Sequence, residues 1–245
     1  MSENGWESSA PAWIADLGEH GDFGRRYVLD PVMLPRALAL QPRTVLDVGC
    51  GEGRFCRQLA AHGIETTGID PTRSLIAHAR VRHPEGRYID AKAEDIAFPD
   101  GAFDLVVSYL SLIDIPDVAR AIAQMARVMK PGGALLIANL NSFNTACADQ
   151  GWVKTALREL VHYPVDHYLD ERSMWIEYRG IRIVNHHRPF STYMKLLLAQ
   201  DLQLAYFDEP PPRAGAPLPK AAHYRRLPWF HVMEWKKPAP TAPLA

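Results

Sequence analysis

The residues with the clearest chemical potential lie in Val45-Leu46-Asp47-Val48-Gly49-Cys50-Gly51-Glu52-Gly53. Three alternate glycines follow an apolar run and precede a helix-forming one. Glycine there lets the chain turn tightly and lets a ligand lie against bare backbone. A dinucleotide fingerprint would need a fourth glycine at position 54, where the chain has Arg54. Asp47 and Glu52 also flank the helix start where a pyrophosphate would sit. Two carboxylates repel a diphosphate and suit a ligand carrying ammonium and sulfonium charges. Asp70 follows Gly49 by 21 residues, at the end of the next apolar run. An aspartate there caps the next helix or accepts hydrogen bonds from both hydroxyls of a ribose. Beside this glycine loop the ribose reading is the stronger.

The second half offers a different chemistry. Trp152, His162, Tyr163, His167, Tyr168, Trp175, Tyr178, His186, His187, Phe190 and Tyr193 crowd one stretch. Aromatic groups beside a ligand cleft suit a cover for a small, flat, largely apolar molecule. Histidine titrates near neutrality, so one of this group is a candidate general base. His187 is the first choice, since it closes a predicted hairpin, and strand alternation turns His186 to the opposite face. No GxSxG, HExxH or Cys/His zinc spacing is present. The three cysteines, Cys50, Cys56 and Cys147, cannot all pair with one another, and none forms a CxxC. They read as reduced structural thiols of a cytoplasmic protein.

These groups need a scaffold, and the text from Arg43 supplies one. Thr44–Gly49 reads as a buried strand, Arg54–Ala61 as a helix capped at Gly63, and Ile64–Ile69 as the next strand. Thr72 is placed to cap a helix running to about His83. Phe103–Tyr109 is strand-like. A helix opens at Pro116 with Val118, Ile122, Met125 and Met129 at helical spacing. Lys130-Pro131-Gly132-Gly133 stops it before a strand over Ala134–Asn139. Such alternation implies right-handed crossovers and a parallel sheet with helices on both faces, binding ligands beyond the strands' carboxyl ends. Residues 1–42 form a helical lead-in broken by Pro11, Pro31, Pro35 and Pro42. Beyond residue 141 the spacing predicts a hairpin, Ser173–Tyr178 and Ile181–His186 about Arg179-Gly180. A helix over Ser191–Ala199 and closing strands Leu202–Phe207 and Trp229–Trp235 follow. The chain of 245 residues reads as a single domain, with 141–189 as an inserted lid.

The motifs resemble the class I S-adenosylmethionine-dependent methyltransferases, in particular the small-molecule group that includes the quinone-biosynthesis enzymes. Five pieces match in order: Val45–Gly53, Thr67–Asp70, Ala93–Asp100, Phe103–Ser108 and Arg127–Gly133. The resemblance implies a doubly wound α/β fold with a mostly parallel seven-stranded sheet and an antiparallel last strand. It implies S-adenosylmethionine as cofactor and S-adenosylhomocysteine as product. Gly49, Cys50, Gly51 and Gly53 would lie against the methionine part, with Asp47 near its ammonium. Asp70 would hold the ribose, with Pro71 or Ile69 packing near the adenine. Ala93 and Glu94 would meet the adenine edge. Lys92 stands where many relatives have aspartate, leaving Glu94 and Asp95 as local acceptors for the amino group. Ser108 to Ser111 would line the methionine end, and Arg26, from a lead-in that folds over the site in relatives, would reach the cofactor carboxylate.

The acceptor is less legible. A net charge of −1 gives no global attraction to nucleic acid or anionic membrane, and no apolar run is long enough to span a bilayer. The fourth strand ends Ser108-Tyr109-Leu110-Ser111, unlike the Asn/Asp-Pro-Pro-aromatic motif of adenine methylation, which argues against DNA. The fifth ends Asn139-Leu140-Asn141, without an acid, so no metal is expected. The expectation is methyl transfer to an oxygen, less readily a nitrogen or carbon, of a small metabolite. Two other readings stay open: an enzyme acting on tRNA or protein through the basic clusters at Arg182–Arg188 and Arg225-Arg226, and a silent cofactor-fold interaction module.

Overall fold

The computed structural model describes residues 4–147 and 151–239. The lead-in folds as Trp6–Leu17 (α1), a π-helical turn over Arg25–Leu29, and Asp30–Ala39 (α2). Pro11 and Pro35 lie inside these helices and do not break them. Each removes one backbone donor, while burial of Ala10 and Leu17 in α1, and of Met33 and Ala37 in α2, holds the helices down.

The alternating part follows as Thr44–Val48 (β1), Arg54–Ala60 (α3), Glu65–Asp70 (β2), Arg73–Arg82 (α4), Arg87–Asp90 (β3), Phe103–Tyr109 (β4), Val118–Val128 (α5) and Met129–Leu140 (β5). Thr72 occupies the N-cap of α4, but its side chain makes no capping bond there. The predicted stop at Lys130–Gly133 is instead absorbed into β5. Gly132 takes φ +79° and its N–H donates to Lys237 O at 2.9 Å, so the glycines bend the strand without ending its pairing.

Residues 141–189 hold Ser142–Ala146 (α6), the short pair Val153–Lys154 (β6) and Leu160–His162 (β7), and the hairpin Arg172–Tyr178 (β8) and Ile181–His187 (β9). Residues 148–150 of this segment lie outside the described residues. Arg179 and Gly180 both have positive φ, 48° and 78°, as a two-residue turn that matches strand twist requires. Phe190–Leu198 (α7), Gln203–Asp208 (β10), Lys220–Arg226 (α8) and Phe230–Lys236 (β11) complete the fold.

The main sheet has the order β10-β11-β5-β4-β1-β2-β3. β11, last in sequence, runs antiparallel to β5 on one side and β10 on the other, and the pairs among β1–β5 are parallel. β4 alternates cleanly: Val106 joins Ile122, Met125 and Trp235 on one face, and Leu105 and Val107 join Met33, Phe55 and Leu59 on the other. Each such side chain stabilises the fold by about 1.5–3 kcal/mol through burial. The strand order reverses between β1 and β4, which opens a crevice beyond their carboxyl ends.

Candidate active site

A cavity of about 940 Å³ occupies that crevice. Its floor is the loop from β1 to α3, where Gly49, Gly51 and Gly53 have φ of +76°, +56° and +77°. The Gly49 and Cys50 N–H groups donate to Ile69 O at 2.8 and 3.0 Å, tying the loop to β2. A Cβ on Gly49 would stand 2.4 Å from Ser111 Cβ, whereas one on Gly51 would meet no atom within 4 Å. Gly49 is thus bare so that Ser111 can pack on it, and Gly51 is bare toward the cavity. Ser111 Oγ donates to Val48 O at 2.7 Å and lies 2.8 Å from Ser108 Oγ.

The acids are placed unequally. Asp47 is buried; Cys56 Sγ donates to its Oδ2 at 3.5 Å, and Oδ1 has no hydrogen-bond partner among the described residues. Burial pushes its carboxyl up to about 7. Asp70 Oδ2 accepts from Gly51 N at 3.0 Å and Oδ1 from Thr72 N at 2.8 Å. Burial raises this carboxyl too, against the pull of those donors. Each oxygen keeps acceptor capacity that these bonds do not use, and Asp70 lines the cavity. Glu52 pairs with Arg57 at 2.6 Å. Arg54 is buried in an ion pair with Asp30 at 2.7 Å, and Tyr109 Oη donates to the same carboxylate at 2.8 Å. Pro71, Lys92, Ala93 and Glu94 line the cavity beside Asp70, while Asp95 is exposed away from it.

The roof comes from α1 and the β8–β9 hairpin. Ser9 Oγ donates to Arg182 O at 3.0 Å and accepts from Arg182 N at 2.9 Å. Glu7 accepts from Ser74 N at 3.2 Å, across the cavity at the start of α4. The inward faces of the hairpin present Met174, Ile176, Ile183 and Asn185 to the cavity. Arg188, 6% exposed, donates to the carbonyls of Leu112, Ile115 and Pro116 at 3.3, 2.8 and 2.9 Å and so fixes the loop after β4.

Residues 46–137 match the model of a methyltransferase domain. The chain is 28% identical over 227 residues to a ubiquinone biosynthesis O-methyltransferase of Coxiella burnetii, covering 84% of this chain and 96% of that one. An S-adenosylmethionine dependent methyltransferase from Mesorhizobium loti superposes with a TM-score of 0.75 at 26% identity, over 89% of this chain and 100% of the other. Residues 46–137 are a methyltransferase domain, and over most of its length the chain is similar to S-adenosylmethionine-dependent methyltransferases. A malonyl-[acyl-carrier protein] O-methyltransferase of Pectobacterium atrosepticum is 31% identical over 121 residues, 48% of each chain, so this chain spans about half the length of that relative.

The residues present fit the family's cofactor. A buried carboxylate oxygen without a partner, Asp47 Oδ1, is what an ammonium would satisfy, and the space above Gly51 is what a Cβ would close. Cys50 also lines the cavity, its thiol pushed up by burial. Among the described residues no cluster of three His, Cys, Asp or Glu side chains is placed to hold a metal ion. No described helix is long and apolar enough to cross a membrane.

Three sequence expectations are corrected. Arg26 points outward, its guanidinium 5.2 Å from the Tyr27 ring, and Arg25 takes the cavity position instead. Arg25 is held there by Asp22 at 2.8 Å and by the Trp13 ring at 4.8 Å. Ser108 is fully buried behind Ser111 and lines nothing; Tyr109, Leu110 and Ser111 do. His187 is fully buried and outside the cavity, with Nδ1 2.7 Å from Thr145 Oγ1 and Nε2 2.9 Å from Tyr168 O. A carbonyl at Nε2 fixes that nitrogen as donor, burial pushes the ring's pKa down, and Nδ1 is covered by the Thr145 hydroxyl, which itself donates to Ser142 O at 3.0 Å. Both ring nitrogens are committed, and no proton-accepting site remains for a ligand. Burial of His187 and Arg188 also splits the supposed basic face at Arg182–Arg188. Arg25, Trp13, Asp114 and Asn185 were not singled out in the sequence; the signal for Asp114 is a lone acid within Leu112-Ile113-Asp114-Ile115-Pro116.

Proposed function

We propose that this chain moves a methyl group from S-adenosylmethionine to an oxygen of a small, flat, aromatic or apolar metabolite in the cytoplasm. One observation carries the acceptor class. Away from the glycine loop the cavity is walled by Trp13, Tyr109, Trp152, Tyr163, Tyr178 and Trp229. Aromatic walls favour a flat ring by offset and edge-on contacts. The names of the Coxiella and Pectobacterium relatives, both O-methyltransferases, support oxygen as the receiving atom. The split basic cluster speaks against a nucleic-acid surface, and the unoxidised thiols of Cys50 and Cys56 agree with a reducing compartment.

The cofactor, when bound, supplies an electrophilic methyl on a sulfonium. In this reading Asp47 takes the ammonium and Asp70 the ribose hydroxyls through its two unused lone pairs. Gly49, Cys50, Gly51 and Gly53 give backbone to the methionine part, and Pro71, Ala93 and Glu94 border the adenine. The fastened α1 excludes water, and alignment supplies much of the rate. The test is transfer of labelled methyl groups from S-adenosylmethionine in a cell extract. Label in small organic-soluble product is the expected result; label in tRNA or protein refutes the acceptor class. S-adenosylhomocysteine should raise the melting temperature and NAD should not. The reverse pattern refutes the cofactor, and no response to either would favour a silent module.

A further inference from the structure

A buried carboxyl stands in this cavity that the cofactor half does not use. Asp114 ends the short 3₁₀ turn Leu112–Asp114, directly after β4 and three residues beyond Ser111, the residue packed on Gly49. It lines the cavity together with its neighbours Ser111, Ile113 and Ile115. Three elements converge on it. Asn185 Nδ2, from β9, donates to Oδ1 at 2.6 Å. The Trp6 side chain, from α1, lies beside the same carboxyl and favours its ionised form. The turn itself is held from behind by the Arg188 guanidinium on three carbonyls. One amide donor on Oδ1 leaves the carboxylate with unused acceptor capacity. Leaving an acid in such a place is costly unless a ligand uses it.

We infer that Asp114 accepts the proton of the acceptor hydroxyl during methyl transfer, with Asn185 and Trp6 as its positioning residues. This rests on the O-methylation reading above. The O–H bond breaks toward an Asp114 carboxylate oxygen as the hydroxyl's electron pair forms the O–CH₃ bond. The S–CH₃ pair stays on sulfur, so one positive and one negative charge disappear together and S-adenosylhomocysteine leaves neutral at sulfur. The proton then passes from Asp114 to water.

The electrostatics agree. Burial pushes the Asp114 carboxyl well up, the charge of Asp70 pushes the same way, and Asn185, Trp6 and the Arg25 guanidinium pull it back. The Tyr178 and Tyr193 phenols also face it, each themselves raised by burial. A carboxylate with a raised pKa is the stronger base. Of the histidines, His187 has both nitrogens committed, and among the described residues His223, on α8, is the one that lines the cavity.

The test compares wild type with Asp114→Asn and His223→Gln, each checked for an unchanged melting curve and unchanged S-adenosylhomocysteine affinity. The probes are catechol, phenol, methoxybenzene and 4-nitrophenol, titrated calorimetrically into the S-adenosylhomocysteine complex and then assayed with S-adenosylmethionine. Asp114→Asn should bind catechol about tenfold more weakly and methoxybenzene unchanged, consistent with loss of one charge-assisted hydrogen bond. It should lower turnover on catechol by about 10²–10⁴-fold and abolish the acidic limb of the pH–rate profile. Nitrophenol, already ionised above neutral pH, should be methylated within a few-fold of wild type. Equal catechol affinity with the acidic limb intact, or loss of that limb in His223→Gln instead, would overturn the role of Asp114 alone. Wild type that neither binds nor methylates any hydroxybenzene would overturn the acceptor reading and this inference with it.

Discussion

Adding one methyl group at Gly49 or at Gly51 should produce two different failures. Both glycines have left-handed φ, so alanine costs each about 1–2 kcal/mol in backbone strain. Reduced freedom of the unfolded chain offsets this by less than about 1 kcal/mol. At Gly51 nothing else stands within 4 Å of the new carbon, so Gly51→Ala should lower stability by only about 1 kcal/mol. That is a melting shift of roughly 2–4 °C for a chain of this size. At Gly49 the new carbon would overlap Ser111 Cβ at 2.4 Å and Oγ at 2.9 Å. Ser111 must move, which breaks its buried bonds to Val48 O and Ser108 at about 1 kcal/mol each. Gly49→Ala should therefore cost about 3–4 kcal/mol and melt roughly 6–15 °C lower. Binding should rank differently from stability. The Gly51 methyl projects into the cavity, so that well-folded variant should lose S-adenosylhomocysteine affinity by tenfold or more. Urea titration and calorimetry on both variants decide it. Equal melting points, or wild-type affinity in Gly51→Ala, would refute the packing argument.

Asp47, pushed up to about 7, gives a proton linkage. A bound ammonium favours its carboxylate, so S-adenosylhomocysteine binding should release a fraction of a proton near neutral pH. Affinity should rise as pH climbs through 7 and then level, and Asp47→Asn should remove the dependence; calorimetry in buffers of different ionisation enthalpy measures it. His187→Ala should cost about 2–4 kcal/mol in urea, from a cavity and two abandoned partners, yet leave turnover within a few-fold at permissive temperature. His231 is fully buried and pushed down to about 4 by burial, while the unfolded chain's histidine stays near 6.5. The unfolded state binds the proton first, so stability is lost as pH falls below about 6.5, on the order of 2 kcal/mol between about pH 7.5 and 5. Asp47, with its raised folded pKa, titrates in the opposite direction. The difference in stability slope between wild type and His231→Phe isolates the histidine, and parallel slopes would contradict its burial.

Much of this molecule is legible in its text where local pattern and tertiary role coincide. β4 begins and ends where its β-branched and aromatic run does, because that run is buried on both faces. The hairpin could be read from Arg179-Gly180, since only a left-handed two-residue turn closes strands of that twist. β3 was not legible: of its four residues only Tyr88 is buried, and charged Arg87 and Asp90 end it at the sheet edge. Arg25 and Arg26 are neighbours on a π-helical turn, whose wider spacing shifts which side chain faces inward. Alternation rightly groups His187 with Ile183 and Asn185 on one face of β9. What fills the end of that face is Tyr168, brought there by a segment with no regular pattern of its own. Asp47 and Asp70 stood out because glycines beside them announced a ligand. Asp114 has no such companion in sequence; Asn185 and Trp6 reach it only through the fold.

The hairpin's clean period has a consequence for how acceptor choice can change. Met174, Ile176, Ile183 and Asn185 face the cavity, while Ser173, Trp175, Glu177, Arg182 and His186 face outward. The backbone between them is held by its own cross-strand pairing from Arg172–His187 to Tyr178–Ile181 and by Ser9 at one edge. An inward side chain there can grow or shrink without disturbing the strand that carries it. The donor half has less freedom, because Gly49, Cys50, Gly51 and Ser111 on its floor also join β1, β2 and the turn after β4. The cavity thus pairs a fixed socket with an adjustable jaw, and the jaw is set one side chain at a time.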